Sequence, residues 1–217
     1  MIEFRNVSKY YATRASRKVL LDGLNLTFPA GAKVALLGRN GAGKSTMIGM
    51  IAGSVKLNGG QIIRTGTVSW PLGFGGSFAV DLTGIQNTRF VARIYGVDTQ
   101  ALVEYVSDFA ELGDFMNMPV RSYSAGMRAR LAFGLSMGLD FDWYMVDEIT
   151  AVGDAQFRKK SLAVFAERLS SSGLIMVSHA NATLREYCNC GLVLEGGRAQ
   201  FFDTVEEAIA VHEANMA

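Results

Sequence analysis

The stretch Gly38-Arg39-Asn40-Gly41-Ala42-Gly43-Lys44-Ser45 constrains this chain more than any other, because it fits G-x-x-x-x-G-K-[ST] with the right flanks on both sides. The apolar run Val34-Ala35-Leu36-Leu37 precedes it, and Ser45-Thr46-Met47-Ile48-Gly49-Met50-Ile51, with helical spacing, follows. Strand, loop and helix in that order form a phosphate cradle. The glycines let successive N–H groups turn inward on phosphate oxygens, and the helix N-terminus adds partial positive charge. Within it, Lys44 is placed to reach the β- and γ-phosphates of a nucleoside triphosphate and the Ser45 hydroxyl to ligate Mg2+, while Arg39, Asn40, Ala42 and Thr46 complete the wall.

Composition narrows the setting. With 217 residues, 49% of them apolar, the chain suits one large α/β domain or a core with a subdomain. A net charge of +1, with the basic residues scattered, gives no electrostatic reason to expect nucleic acid as a partner. The two cysteines, Cys188 and Cys190, match no common zinc spacing and stand too close for an easy disulfide, so reduced thiols in a cytosolic setting are expected. Met1-Ile2-Glu3-Phe4-Arg5 has neither the charged start nor the apolar stretch of a signal peptide. Apolar runs such as Leu131 to Leu139 fall short of the ~18 residues that span a bilayer, so a membrane role requires a partner with the spans.

Along the chain the period changes several times. Ile2 to Val7 and Leu24 to Phe28 roughly alternate, which predicts an N-terminal antiparallel β layer. Between Leu82 and Gly138 the pattern is helical: Thr83-x-x-Gln86 resembles a capping box, Gly96 suits a helix end, and Asp98 suits the cap of a helix running to Glu111. Two short apolar segments, Trp143 to Val146 and Leu174 to Val177, flank a helical stretch from Asp154 to Ser172 and predict a buried parallel sheet. A hairpin around Gly196-Gly197 and a helix capped by Thr204 follow. The expected architecture is α/β, with a core of residues 1–81 and 139–217 interrupted by an all-helical insert of residues 82–138.

Ligands of parallel sheets bind at the carboxyl ends of the strands, where Asp147 and Glu148 stand. Asp147 is positioned to face the magnesium of the Lys44 loop, and Glu148 to orient or deprotonate an attacking water. His179 ends the next strand, within reach of a γ-phosphate. His212, on the last helix, reads as a satisfied structural residue. Ser124-Ala125-Gly126 opens a strong helix former, Met127 to Phe133, and a helix N-terminus with a small hydroxyl and a glycine is a ready anion site. From these residues alone an ordinary N-cap beside a glycine is the simpler reading.

Taken together these segments resemble the ATP-binding subunits of ABC transporters over nearly the whole chain. Gly38 to Ser45 corresponds to the Walker A motif, Trp143 to Asp147 with Glu148 to Walker B and the catalytic glutamate, Ala151-Val152-Gly153-Asp154 to the D-loop, and His179 to the switch histidine. Tyr123-Ser124-Ala125-Gly126-Met127 is an altered form of the signature segment. The resemblance implies P-loop NTPase architecture, ATP and Mg2+ as cofactors, and a head-to-tail pair of copies in which Ser124 and Gly126 of one meet the γ-phosphate held by the other. It places an adenine-stacking aromatic at Tyr11, with Tyr10 the competing assignment. The region from Ser69 to Phe78 lacks the glutamine usual there; its Trp70-Pro71 form and the signature helix are similar to the ATPases of capsular polysaccharide exporters, with O-antigen and teichoic acid exporters as close alternatives. Some of those relatives carry a C-terminal domain for which a chain stopping at Ala217 has no room, which favours the capsule branch. The implied substrate is a lipid-linked polysaccharide. The implied setting is the cytoplasmic face of a bacterial inner membrane, with a polytopic permease subunit, periplasmic export components beyond it, and a docking surface formed by the helical insert and the Trp70 to Phe78 loop, packing within the domain being the alternative for Trp70 and Phe74. A soluble ABC-type ATPase and a P-loop kinase or GTPase are the rival readings.

Overall fold

The computed structural model describes residues 1–12, 16–72, 78–147 and 154–216. These divide into two compact units, Met1–Pro71 with Phe141–Glu148 and Ser171–Ala217, and Leu72–Asp140 with Ile149–Ser170. In chain order the elements begin with strands β1 (Ile2–Ala12), β2 (Arg17–Phe28) and β3 (Lys33–Gly38), helix α1 (Lys44–Ala52), and strands β4 (Gly59–Arg64) and β5 (Val68–Leu72). Helices α2 (Gly84–Tyr95), α3 (Thr99–Ala110) and α4 (Ala125–Met137) follow, then strand β6 (Trp143–Asp147), helix α5 (Ala155–Leu169), strand β7 (Gly173–Val177) and helix α6 (Asn181–Tyr187). The hairpin β8 (Cys190–Glu195) and β9 (Arg198–Phe202) and helix α7 (Val205–Met216) complete the series.

The first unit is built on two sheets. One is antiparallel in the order β2-β1-β4, and the other runs β5-β6-β7-β3-β8-β9. Strands β6, β7, β3 and β8 are parallel neighbours, and β9 turns back antiparallel on β8. Every residue of β7 and all but the first of β3 are buried. That explains why these strands read as unbroken apolar runs rather than alternating ones: both faces are covered. Between the sheets, Phe4 and Phe28 meet edge to face at 5.7 Å, and Phe28 lies 6.4 Å from Trp143. Met47, Ile48, Met50 and Ile51 of α1 enter the same core. Each such side chain contributes about 1.5–3 kcal/mol on full burial, so the phosphate loop is pinned at both ends by strongly held elements.

Two strands were not expected. β4 joins the antiparallel sheet through Gly59-Gly60, where a Cβ on Gly60 would sit 2.2 Å from the Asn6 carbonyl oxygen. β5 includes Trp70 and Pro71 from the segment expected to be a loop; it lies at the sheet edge, where a proline costs no ladder hydrogen bond. Trp70 is half-buried and packs edge to face on Phe141 at 5.5 Å. Phe74, another aromatic of that loop, lies outside the described residues.

The second unit is helical. Thr83 and Gln86 form the capping box at α2: the Gln86 N–H donates to Thr83 Oγ1 at 3.1 Å, and the Thr83 N–H to Gln86 Oε1 at 2.9 Å. Gly96 closes that helix with φ 67°. Asp98 accepts from the Ala101 N–H at 2.7 Å to start α3. The unit's core stacks Phe109 on Phe133 at 5.9 Å and sets Phe157 edge-on to Phe109 at 5.5 Å. The stretch read as a helical insert, 82–138, lies within this unit, which also takes in α5.

Candidate functional site

The loop between β3 and α1 is fixed by its own backbone. Gly38 has φ 149°, and a Cβ there would sit 2.6 Å from the Leu194 carbonyl oxygen; only glycine fits. Gly43, at φ 112°, forms the N-cap of α1 with no side chain capping it, which leaves the helix's first N–H groups facing outward. Ala42 N–H donates to the Arg39 carbonyl at 3.0 Å and closes the turn. Lys44 folds back across the loop, its Nζ donating to the Gly38 carbonyl at 2.6 Å and the Arg39 carbonyl at 3.3 Å.

A cavity of about 310 Å³ opens over this loop, within the first unit. Among the residues expected to bind nucleotide, Tyr11, Asn40, Gly41, Gly43, Lys44, Ser45 and Thr46 line it, together with Asp147 and His179. Parallel pairing brings the last two there: Asp147 ends β6 opposite Val177 of β7, and His179 follows two residues later. Gly38, Arg39 and Ala42 do not line this cavity; Ala42 packs on the core instead, and Arg39 contributes its carbonyl to the turn. Glu148 and residues 151–153 of the expected D-loop lie outside the described residues, whereas Asp154 caps α5, accepting from the Phe157 N–H at 2.9 Å. That bond, more than the nearby Arg130 guanidinium, holds the Asp154 carboxyl below its ordinary range.

Of the two tyrosines, Tyr11 lines the cavity and Tyr10 does not; each ring carries a cation, Lys9 Nζ at 4.6 Å over Tyr11 and the Arg17 guanidinium at 3.6 Å over Tyr10. Three further cavity residues were not expected: Lys18 and Leu20 of β2, and Val177. Leu20 lies beneath the phosphate loop, its Cδ1 3.2 Å from where a Gly43 Cβ would stand, and the Lys18 ammonium is 3.3 Å from the corresponding point at Gly41. Lys18 and Leu20 are two apart on one strand and therefore share a face. Period-two alternation would have found them had the strand's start been legible.

Ser45 and Asp147 offer a hydroxyl and a carboxylate in one cavity, a donor set that suits a hard divalent cation completed by phosphate and water. Among the described residues no cluster of three or more His, Cys, Asp or Glu could hold a metal by itself. A divalent cation here therefore depends on phosphate oxygens as well.

The segment around Ser124 belongs to the second unit. Ser124 is the N-cap of α4, its Oγ accepting from the Met127 N–H at 3.2 Å. Tyr123 is buried, donating its hydroxyl proton to the Phe115 carbonyl at 2.6 Å and accepting at its own carbonyl from Arg128 at 2.6 Å. Gly126 differs from Gly38: its φ is not positive, and a Cβ there would meet only Ser124 Oγ, at 3.9 Å. Nothing within the described chain requires glycine at 126.

His212 departs from its expected role. Its Nδ1 is buried and makes no hydrogen bond, so the ring is not a satisfied structural group. Burial first, and then the nearby Lys44 charge, hold its imidazole below its ordinary pKa. Cys188 and Cys190 are free and buried, and burial pushes their thiols up to about 12 and about 11.

A phosphate loop between a buried parallel strand and a helix, with an acidic strand end beside it, defines a P-loop nucleotide-binding domain. The ABC transporter family model matches residues 21–151, and the chain belongs to that family. It is 45% identical to the polysialic acid transport ATP-binding protein KpsT of Escherichia coli, over 100% of both chains. It is 42% identical to the capsule polysaccharide export ATP-binding protein CtrD of Neisseria meningitidis, over 96% of both. Identity falls to 35% with the O-antigen export system ATP-binding protein RfbB of Myxococcus xanthus, over 94% of this chain and 49% of that relative. Among solved structures, a dimeric ATP-binding cassette in a post-hydrolysis state with ADP and Pi superposes with a TM-score of 0.76 at 19% identity, covering 93% of this chain and 98% of the other. At that identity the likeness speaks to the fold.

Proposed function

We propose that this chain is the ATP-hydrolysing subunit of an exporter of capsular polysaccharide, working as a pair of copies beneath a separate membrane permease. The observation that carries the reading is the single cavity gathering Tyr11, Lys44, Ser45, Asp147 and His179. The higher identity to polysialic acid and capsule relatives than to an O-antigen relative supports the choice of cargo. No helix among the described residues is long and apolar enough to cross a membrane, so the path for the glycan must come from a partner. The cytoplasmic face of the inner membrane, and periplasmic components receiving the glycan, complete the proposal.

In this mechanism the adenine stacks on Tyr11, and the phosphates lie on the outward N–H groups of the loop. Lys44 exchanges its bonds to the Gly38 and Arg39 carbonyls for phosphate oxygens, so nucleotide entry releases the folded-back side chain. Ser45 and Asp147 would hold Mg2+, which when bound neutralises charge on the β- and γ-phosphate oxygens. Glu148 takes the proton of the attacking water, and His179 donates to the γ-phosphate. The other copy supplies the N-terminus of α4, with Ser124 Oγ and the Gly126 backbone against the γ-phosphate. A glycine with no internal reason to be glycine suits a surface that another molecule must approach closely. Because these contacts exist only while the γ-phosphate is present, ATP favours the closed pair and hydrolysis the open one.

The test is export itself. A strain lacking this chain should retain its capsular polysaccharide inside the cell, and wild-type but not Lys44→Ala protein should restore it to the surface. Normal capsule with O-antigen or another glycan retained would move the cargo to that alternative. Export of every glycan unaffected would remove the transport role.

A further inference from the structure

Lys9 of β1 is only 8% exposed, although lysine is almost never buried unless an opposite charge accompanies it. Among the described residues no carboxylate pairs with it. Its ammonium meets two other groups. Nζ donates to the Lys56 carbonyl at 2.8 Å and lies over the Tyr11 ring, 4.6 Å from the centroid.

The backbone beside it is fixed from the same direction. Between α1 and β4, the Asn58 N–H donates to the Ser8 carbonyl at 2.9 Å, and Asn58 Oδ1 accepts from the Tyr10 N–H at 2.8 Å. Lys9 therefore reaches Tyr11 from an anchored strand, with its own ammonium anchored as well. Tyr11 is 48% exposed and lines the cavity over the phosphate loop, whereas Lys9 lines no part of that cavity. The ammonium thus covers the ring from the protein side, and the cavity side stays open.

An apolar side chain would fill this space without desolvating a charge. What the charge adds is attraction to the negative face of the ring, which is strongest for a desolvated cation. That attraction restrains a half-exposed side chain which a ligand would otherwise have to immobilise. It also draws electron density toward the covered face, leaving the open face better suited to an electron-rich purine.

We propose that Lys9 is a positioning residue for the nucleotide base: its ammonium holds the Tyr11 ring in the pose on which adenine stacks. The proposal rests on the nucleotide-site reading above and extends it to a residue that touches no part of the nucleotide. Lys9 makes no hydrogen bond to the phosphate loop. It therefore acts on the part of the affinity that depends on the base and leaves the part that depends on the phosphates.

Calorimetric titration of a non-hydrolysable ATP analogue and of inorganic triphosphate, each with Mg2+, separates the two parts. Immobilising a side chain on binding costs about two- to tenfold in affinity, so Lys9→Met should weaken the analogue by that factor and triphosphate by less than about twofold. Lys9→Gln keeps a donor for the Lys56 carbonyl but no charge, and should lose as much as Lys9→Met. Lys9→Arg keeps the cation and should bind the analogue more tightly than either. Unchanged analogue affinity in Lys9→Met, equal losses for both ligands, or rescue by glutamine and not by arginine overturns the proposal. Should these variants fail to fold, wild-type protein still decides. The Lys9 Cε–H resonance, shifted by the Tyr11 ring, should move with the analogue and stay with triphosphate; equal responses overturn the proposal. Tyr11→Ala is the control for the reading beneath it: it should weaken the analogue about 5- to 150-fold and spare triphosphate. Adding Lys9→Met to Tyr11→Ala should then change nothing further. A silent Tyr11→Ala would overturn the adenine placement and this proposal with it, whereas a silent Lys9→Met beside an impaired Tyr11→Ala overturns this proposal alone.

Discussion

Replacing Gly126 with alanine separates the stability of this chain from its function, because the two should move in opposite directions. Gly126 is the second residue of α4, after Ser124 and Ala125, and its backbone is not in the left-handed region. The added methyl would meet only Ser124 Oγ, at an ordinary contact distance of 3.9 Å. Alanine is favoured over glycine within helices by about 0.5–1 kcal/mol, and near a helix end the gain is about 0.5 kcal/mol or less. For a chain of this size that raises the melting temperature by about 1–2 °C. In the closed pair proposed above, the same methyl would lie between the α4 N-terminus and the γ-phosphate of the other copy. A hydrogen bond to a charged group contributes about 1.5–3 kcal/mol, so losing one there lowers turnover about 10- to 150-fold. Three measurements settle the matter: melting by calorimetry, ATP affinity with a fluorescent nucleotide, and phosphate release. The expected outcome is a slightly higher melting temperature, unchanged affinity of the single copy, and turnover down by at least tenfold. Turnover within about twofold of wild type would refute the reasoning, and so would a fall in melting temperature that accounts for the lost activity.

Two further predictions concern residues that the site gained or the fold protects. Lys18→Met should weaken ATP binding about two- to fivefold and flatten its salt dependence, since an exposed ammonium beside phosphates contributes no more than about 1 kcal/mol; an unchanged affinity would remove Lys18 from the site. Cys188 and Cys190, with thiols pushed up to about 12 and about 11, remain protonated at pH 8 and should not react with a thiol-specific chromogen until the chain unfolds, when both should.

Much of the architecture was legible because its determinants are local. The Thr83/Gln86 box, the Asp98 cap, the Gly96 stop and the Gly196-Gly197 hairpin each lie within a few residues of the geometry they set. The same holds for the phosphate loop, where motif and flanks adjoin. What escaped depended on distant partners. β1 pairs with β2 through register shifts between Phe4 and Tyr10, which break the alternation that would have aligned Lys18 and Leu20 with the cavity. β5 was hidden because Pro71 argues against a strand unless the strand is known to lie at an edge. Nothing within α7 reveals that His212 faces the turn carrying His179, because packing across the sheet puts it there.

The central claim is that ATP joins two copies, each capping the nucleotide of the other. Glu148→Gln removes the group assigned to the attacking water while leaving every assigned binding residue in place, so ATP should bind and persist. Light scattering on that variant with ATP and Mg2+ should give about twice the single-chain mass of 23.5 kDa, returning to the single-chain value with ADP. A protein that binds ATP yet keeps the single-chain mass with either nucleotide would contradict the account.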